Sequence, residues 1–173
     1  LAPEYAEAWS NKATALVHLK QVEEALACCE KAVTLRPDFA DAWCNRGNTL
    51  RHLDRQEEAL QAYERAVTLN PALAQAWSNQ GAALSHLNRP DEAMASFAKA
   101  LELKPDYTQA WFNRGNAYHA LGRLDEAVDQ YQHATTLDPS YGEAHWNKSL
   151  ALLSQGRLSE GWRAYEWRKK LDQ

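Results

Sequence analysis

Apolar residues recur along this chain at helical spacing, in pairs of segments that are separated by short polar breaks. In one such pair, Trp43, Leu50 and Tyr63 are among the apolar positions, and charged or polar residues fill most of the remainder. Apolar residues that recur three or four positions apart form one face of a helix. The pattern therefore predicts two helices for this pair, over roughly residues 40–53 and 56–69.

The hydrophobic pattern repeats along the whole chain with a period of 34 residues. Proline lacks a backbone N–H, so the regular prolines are expected to follow the second helix of each pair, whereas Pro90, out of register, is expected to begin a helix. We call a set of positions that are 34 residues apart a column. The most regular columns are Pro3, Pro37, Pro71, Pro105 and Pro139; Trp9, Trp43, Trp77 and Trp111, with His145 in fifth place; and Asn11, Asn45, Asn79, Asn113 and Asn147.

These columns resemble the pattern of the tetratricopeptide repeat family, W-x2-L-G-x2-Y followed by A-x3-F and P. The resemblance implies an all-α fold, a right-handed α-solenoid of five tandem 34-residue helix-turn-helix repeats. We therefore expect the tail of a preceding repeat at 1–5 and repeats at 6–39, 40–73, 74–107, 108–141 and 142–173, the last of them atypical. The residues that match the pattern in order in the second repeat are Trp43, Gly47, Leu50, Ala59, Tyr63 and Pro71.

The composition fits a folded helical protein and argues against several kinds of partner. Hydrophobic residues make up 45% of the chain, charged residues make up 24%, and isoleucine is absent, so a mostly β fold is not expected. The net charge of -4 argues against nucleic acid or an anionic membrane as the main partner. No apolar run approaches the roughly 20 residues that span a bilayer. Three irregularly spaced cysteines, Cys28, Cys29 and Cys44, favour a reducing compartment, and we expect a cytoplasmic location.

Two sets of residues resemble catalytic or metal-binding groups, but their positions favour structural roles. Acidic pairs such as Glu57-Glu58 fall at the predicted starts of second helices, where they complement the helix dipole. His18, His52 and His86 repeat at the 34-residue step, and a solvated row is expected because one metal ion would need further ligands close by. The common hydrolase, zinc-protease, phosphate-loop and dinucleotide motifs do not occur in the sequence. We therefore expect no enzymatic activity, no cofactor and no metal.

The asparagine column requires an explanation because asparagine is a mediocre helix former. Its amide offers a donor and an acceptor together, which suits the backbone of an extended peptide, and a purely structural role between neighbouring repeats is the alternative. In the family, the first helix of each repeat lines a concave groove, and an asparagine ladder there resembles the peptide-binding superhelix of O-linked N-acetylglucosamine transferase. The predicted groove residues are Asn11, Asn45, Asn79, Asn113 and Asn147, together with Asp41, Gln75, Gln109, Asn48 and Asn116.

The last repeat departs from the others. Trp167 stands in a column that holds lysine, arginine or histidine elsewhere, so its ring is expected to be exposed to solvent. The ending G-W-x-x-Y-E-W-R resembles the final repeat of bacterial tetratricopeptide proteins that continue into a glycosyltransferase-like domain, and a modified terminal cap is the alternative. Because an uncovered apolar face favours association, we expect the chain to self-associate through its terminal repeats, at an interface that includes Trp162, Tyr165 and Trp167.

Together these observations predict a protein–protein interaction scaffold that binds an extended peptide or a helix of a protein partner in its concave groove. The groove positions beside the tryptophan column carry no basic residue, which argues against a clamp for a C-terminal carboxylate. The alternative interpretation is a non-catalytic, substrate-recognition arm of a larger bacterial glycosyltransferase.

Overall fold

A computed structural model describes residues 5–167 of the chain. This part of the chain is built from ten α-helices and contains no β-strand. The helices are α1 (Ala6–His18), α2 (Val22–Leu35), α3 (Ala40–His52), α4 (Gln56–Leu69), α5 (Ala74–His86), α6 (Pro90–Leu103), α7 (Thr108–Ala120), α8 (Leu124–Leu137), α9 (Gly142–Ser154) and α10 (Leu158–Tyr165).

The helices form two compact units, Leu1–Arg89 with α1–α5 (unit 1) and Pro90–Gln173 with α6–α10 (unit 2). Odd-numbered helices are the first helices of their pairs, and even-numbered helices are the second. In unit 1, α1 packs on α2 and α3 packs on α4, and each following first helix packs on the pair before it. In unit 2, α7 packs on α8, and α9 packs on α10 and on the α7–α8 pair. This nearest-neighbour packing is that of an all-α solenoid of tandem helical repeats.

The observed helix boundaries agree with the hydrophobic pattern. The two helices predicted for the second repeat are α3 and α4, which extend over Ala40–His52 and Gln56–Leu69. Pro90 is the first residue of α6, a position at which a missing backbone N–H leaves no hydrogen bond unmade. The all-α repeat architecture expected from the sequence is confirmed.

A tight turn with one left-handed residue joins the helices of each pair. After α1, the Lys20 N–H donates to the carbonyl of Val17 and the Gln21 N–H donates to the carbonyl of Leu16, both at 2.9 Å. These bonds require positive φ at the second residue after the helix, a conformation that costs glycine nothing and most other residues some free energy. The values of φ are 61° at Lys20, 59° at Asp54, 56° at Asn88, 71° at Gly122 and 74° at Gly156.

A glycine on a first helix and a tyrosine on the second helix set the closest approach within a repeat. A Cβ atom on Gly47 would lie 2.5 Å from Cε1 of Tyr63, and a Cβ atom on Gly115 would lie 2.6 Å from Cε1 of Tyr131. Both tyrosine rings are buried, so even an alanine at either glycine would have to displace a packed ring. In the first repeat, the glycine column holds the larger Ala13 and the tyrosine column holds the smaller Cys29.

Candidate functional site

The residues predicted to line the groove lie on the first helices, and we refer to the surface that they form within each unit as its first-helix surface. Helices α1, α3 and α5 carry it in unit 1, and α7 and α9 carry it in unit 2. Four of the predicted residues are exposed, namely Asn11, Asp41, Gln75 and Gln109, and six are half-buried, namely Asn45, Asn48, Asn79, Asn113, Asn116 and Asn147.

In unit 1, one amide oxygen joins three helices. Oδ1 of Asn48 on α3 accepts a 2.8 Å hydrogen bond from the hydroxyl of Tyr63 on α4 and a 2.7 Å hydrogen bond from Nδ2 of Asn79 on α5. Burial raises the pKa of Tyr63 above its ordinary value, so its hydroxyl remains protonated and can donate this bond at neutral pH.

Unit 2 contains the same arrangement on α7, α8 and α9. Oδ1 of Asn116 accepts from the hydroxyl of Tyr131 at 2.8 Å and from Nδ2 of Asn147 at 2.9 Å. Burial raises the pKa of Tyr131 to about 12. We call the sets Asn48–Tyr63–Asn79 and Asn116–Tyr131–Asn147 amide nodes. In each node an amide–amide hydrogen bond links the first helices of successive repeats, and a buried tyrosine hydroxyl donates to the same oxygen.

Sequence reasoning treated the tyrosine column as purely apolar and therefore missed the amide nodes. The signal is the joint occurrence of an asparagine with a tyrosine that follows 15 residues later, as in Asn48 with Tyr63. In the third repeat the same two columns hold Ala82 and Phe97, so the acceptor and the hydroxyl are absent together.

The amide node of unit 2 leaves one donor and one acceptor available for further hydrogen bonds. The oxygen of Asn116 already accepts two hydrogen bonds, whereas its Nδ2 donates to no residue of the described part of the chain. Conversely, Nδ2 of Asn147 is used within the node, and its Oδ1 accepts from no residue between positions 5 and 167. A donor on α7 and an acceptor on α9 therefore remain on adjacent helices.

Two hollows flank Asn147 on the first-helix surface of unit 2. Asn147 lines both hollows, and Asn116 lines the smaller one. The smaller hollow, of 150 Å³, is lined by Asn116, His119, Tyr131, Asn147 and Leu150. The larger hollow, of 420 Å³, is lined by Phe112, Gly142, Glu143, Trp146 and Asn147.

The other members of the asparagine column use their amides in different ways. Nδ2 of Asn45 donates to Oγ of Ser10 at 2.9 Å, which again links successive first helices. Oδ1 of Asn113 accepts a 3.0 Å hydrogen bond from Nε2 of Gln109, one turn earlier on α7. Asn11 is exposed on α1. Structural contacts thus occupy part of four of the five amides.

The tryptophan column has a structural role that histidine takes over in the last repeat. The indole N–H groups of Trp43, Trp77 and Trp111 donate to the carbonyls of Pro37, Pro71 and Pro105 at 2.9, 2.9 and 2.8 Å. Nε2 of His145 lies 3.1 Å from the carbonyl of Pro139. When this nitrogen carries the imidazole proton, it makes the bond that the indole makes elsewhere.

Trp167 is half-buried, which differs from the exposed position expected from its column. Its ring stacks on His145 with centroids 4.1 Å apart. In the preceding repeat, Trp111 stacks on His133 at 4.3 Å. The tryptophan and the histidine have therefore exchanged positions between these two repeats, and the stacked pair is retained.

The end of unit 2 carries an aromatic cluster that is formed by α9 and α10. The ring centroid of Tyr165 lies 5.2 Å from that of Trp146 and 5.5 Å from that of Trp162. Trp162 is 55% exposed and Trp146 is 44% exposed, whereas Tyr165 is half-buried. Trp146 was not among the residues predicted for a terminal interface. In the structure its column is buried in earlier repeats, at Cys44 and Phe112.

The residues that resembled catalytic or metal-binding groups lie at the surface or at helix starts. Glu57 and Glu58 lie in the first turn of α4, and the Arg55 guanidinium donates to the Glu58 carboxylate at 2.6 Å. This hydrogen bond lowers the pKa of Glu58. The three histidines of the predicted row, His18, His52 and His86, are exposed.

Comparison with known proteins identifies the family. Models described as tetratricopeptide repeat match residues 6–39 and 40–73, and models described as TPR repeat match residues 86–122 and 115–156. The chain therefore belongs to the tetratricopeptide repeat family. No curated protein sequence matches it.

Solved structures of other repeat proteins are similar to this chain over most of its length. YrrB, described as a TPR protein with an unusual peptide-binding site, is 26% identical, with a TM-score of 0.70 that covers 96% of this chain and 86% of YrrB. The type IV pilus biogenesis factor PilW is 24% identical, with a TM-score of 0.86 over 95% of this chain and 78% of PilW. PilF of Pseudomonas aeruginosa is 17% identical, with a TM-score of 0.87 over 95% of this chain and 75% of PilF. The similarity to PilW and PilF shows the fold alone.

None of the helices that the structure describes between residues 5 and 167 has both the length and the apolar character of a membrane-crossing segment.

Proposed function

We propose that this chain is a protein-interaction scaffold that binds an extended peptide on its first-helix surface, and we assign it no catalytic role. The observation that carries the proposal is the free donor of Asn116 and the free acceptor of Asn147, two residues that line the same 150 Å³ hollow. An extended peptide presents alternating N–H and C=O groups along its backbone. The free Nδ2 group would donate to a peptide carbonyl, and the free Oδ1 would accept from a peptide N–H.

Because both amides are held within the node, their free groups are ordered before a ligand arrives. Tyr131 and Asn147 fix the Asn116 oxygen, so the amide plane of Asn116 is not free to rotate. A side chain that is already ordered loses less entropy on binding, which favours affinity. The buried tyrosine would therefore contribute to binding through its neighbour, without contacting the peptide.

The larger hollow indicates which peptide side chain fits beside the node. Phe112 and Trp146 supply apolar surface, and Glu143 supplies a carboxylate at the same hollow. Such a mixture suits a side chain with an apolar stem and a basic end, such as lysine or arginine. YrrB, the similar protein described above, has a peptide-binding site by its published description, which supports the same class of ligand for this chain.

The proposal can be tested with peptides that are selected on the intact protein from a random library. For the selected peptides, we expect the Asn116→Ala and Asn147→Ala double variant to bind roughly 5- to 150-fold more weakly, since each of the two lost hydrogen bonds is worth about 0.5–1.5 kcal/mol. Gln61→Ala, which alters an exposed amide on the second helix α4, is the matched control and should bind as the wild type does.

Circular dichroism would show whether the double variant keeps its helical content. Equal affinity of the folded double variant and the wild type for every selected peptide would contradict the proposed site. Selected peptides that lose affinity with Gln61→Ala instead would place the binding surface on the second helices.

A further inference from the structure

We propose that unit 2 carries a second binding site, a pocket of 450 Å³ between α8, α9 and α10 that takes a ligand with an apolar body and a carboxylate or phosphate group. This volume lies in the range of small-molecule sites in proteins. The pocket shares no lining residue with the two hollows beside Asn147. The inference therefore does not depend on peptide binding.

The pocket lies on a side of the repeats that a following helix pair leaves uncovered. On α10 and directly after it, the lining includes Arg163 and Trp167. The residues of the same columns one repeat earlier are Asp129 and His133. Both are exposed, although α9 and α10 follow them in the chain. Packing of a further first helix on α10 would therefore leave the pocket open.

The apolar part of the pocket comes from all three helices. Val128 on α8 is 7% exposed, Leu152 on α9 is 2% exposed, and Ala164 on α10 is half-buried. The stacked rings of His145 and Trp167 add flat aromatic surface. An apolar ligand body, such as an aromatic ring, would remove part of this surface from water.

Lys148 supplies a partly buried positive charge whose hydrogen-bond partner is a neutral group. Its Nζ donates to Oε1 of Gln132 on α8, and Nε2 of Gln132 donates to Oγ1 of Thr136 at 3.1 Å. An ammonium group has three N–H donors, and Lys148 makes no second hydrogen bond within the part of the chain that the structure describes. Burial lowers the pKa of Lys148, because it disfavours the charged form, and a bound anion would offset this cost.

The charges around Lys148 leave an excess of positive groups. Among the described residues, Lys148, Arg157 and Arg163 line the pocket together with two carboxylates, those of Asp129 and Glu160. Both oxygens of Glu160 already accept from Arg157, Oε1 from Nε at 3.0 Å and Oε2 from Nη2 at 2.7 Å. This local excess occurs in a chain with a net charge of -4, so it favours an anionic ligand at this place.

Arg163 adds a second donor group that is not engaged by the protein. Its side chain is exposed and donates to no residue between positions 5 and 167. A guanidinium group presents N–H donors in a planar fork that matches the oxygens of a carboxylate or a phosphate. Lys148 and Arg163 would therefore hold the oxyanion, and the apolar side chains would contact the body of the ligand.

The first test is an NMR titration of the 173-residue protein at low ionic strength with phenyl phosphate and with phenylacetate. Phenylacetamide, a neutral molecule of nearly the same shape as phenylacetate, is the matched ligand control. We expect the anions to shift the indole N–H signal of Trp167 with a Kd of about 1 mM, which is reasonable for ligands of roughly ten heavy atoms. Phenylacetamide should bind at least about tenfold more weakly. The anion that binds more tightly identifies the oxyanion that the pocket prefers.

Substitutions test whether the two cations hold the anion. Lys148→Gln and Arg163→Gln should each weaken binding of the tighter anion by about tenfold or more, the effect of losing a hydrogen bond between charged groups. Lys148→Arg retains the charge and should bind more tightly than Lys148→Gln. Lys31→Gln, which removes a positive charge from an exposed position on α2, is the matched control and should bind as the wild type does.

Circular dichroism would show that the variants are folded, and the exposed position of Arg163 makes its substitution the safer of the two. Absence of binding by both anions at about 10 mM would overturn the proposal, since such an affinity lies below that of a formed site. Equal affinity for phenylacetamide, unchanged affinity in both pocket variants, or an equal loss in Lys31→Gln would also overturn it.

Discussion

His145 and Trp167 stack at 4.1 Å with an interplanar angle of 10°, in the columns that Trp111 and His133 occupy one repeat earlier. The tryptophan has moved from the first helix to the end of the second, and the histidine has moved the other way. The exchange keeps a flat aromatic contact between the two chain segments of the repeat. It also explains why a tryptophan stands in a column that is otherwise basic.

The stacked pair should stabilise the last repeat, and a double-mutant cycle would measure its contribution. We expect His145→Ala and Trp167→Ala to show a coupling energy of about 0.5–1.5 kcal/mol in urea unfolding, the range of aromatic pairs. The exchanged variant, His145→Trp with Trp167→His, should be nearly as stable as the wild type. Strictly additive effects of the two alanine substitutions would contradict a direct contact.

The close approach of Gly47 to Tyr63 makes a specific prediction about packing. Gly47→Ala should destabilise the protein by about 1–3 kcal/mol, because the new methyl group overlaps a buried ring. The additional change Tyr63→Cys copies the residues of the first repeat, Ala13 with Cys29, and should tolerate the methyl group. Urea unfolding of Gly47→Ala, made once in the wild type and once in the Tyr63→Cys variant, measures the difference. An equal effect of the methyl group in both backgrounds would be inconsistent with this steric explanation.

The left-handed turn after α1 is held by a residue that does not favour it. Lys20 has φ of 61°, and a non-glycine residue pays about 1–2 kcal/mol for a left-handed conformation. Lys20→Gly should therefore raise the free energy of unfolding by up to about 1 kcal/mol, after the larger entropy of glycine in the unfolded chain is allowed for. The reverse change at the equivalent turn, Gly122→Lys, is the control and should lower it. A loss of stability in Lys20→Gly would show that the lysine side chain contributes more than the backbone strain costs.

The amide nodes should make stability depend on pH at alkaline values. The pKa of Tyr131 rises from its model-peptide value of 10.0 to about 12 in the folded chain, chiefly through burial. The unfolded chain therefore releases this proton first. As a result, the contribution of Tyr131 to stability is complete below pH 10 and falls as the pH rises from about 10 to about 12.

Tyr131→Phe removes the titrating group while the bond from Asn147 to Asn116 remains. We expect its free energy of unfolding to fall less steeply than that of the wild type between pH 10 and pH 12, as measured by urea unfolding at a series of pH values. Indistinguishable slopes in the two proteins would show that the Tyr131 hydroxyl does not titrate differently in the folded and unfolded states.

The repeat architecture was predictable because its signal is repeated five times and is local. A helix pair is specified by nearby residues, such as the glycine at position 47 and the proline at position 71, and the same columns recur in register. Each copy supports the interpretation of the others, so the bounds of α3 and α4 followed from the hydrophobic pattern alone.

The details of the surface were less predictable because they depend on single atoms. The sequence predicted that Asn48 and Asn116 line a groove, but not that a tyrosine hydroxyl and a second asparagine both donate to each amide oxygen. Likewise, the exposure of Trp146 depends on whether another helix covers its column, which its own neighbours in the sequence do not show. The tyrosine–asparagine hydrogen bond becomes visible when the two columns are compared within one repeat.

The central claim is that the free groups of the amide nodes contact a peptide backbone, and the most direct measurement is the side-chain amide NMR spectrum of the protein titrated with a selected peptide. The account predicts a large shift of the Nδ2 protons of Asn116, which are free in the node, and a small shift of those of Asn147, which stay bonded to Asn116. The side-chain amide of Gln61, exposed on α4, should not move. A peptide that binds while the Asn116 amide signals stay in place and signals from the second helices shift would contradict the claim.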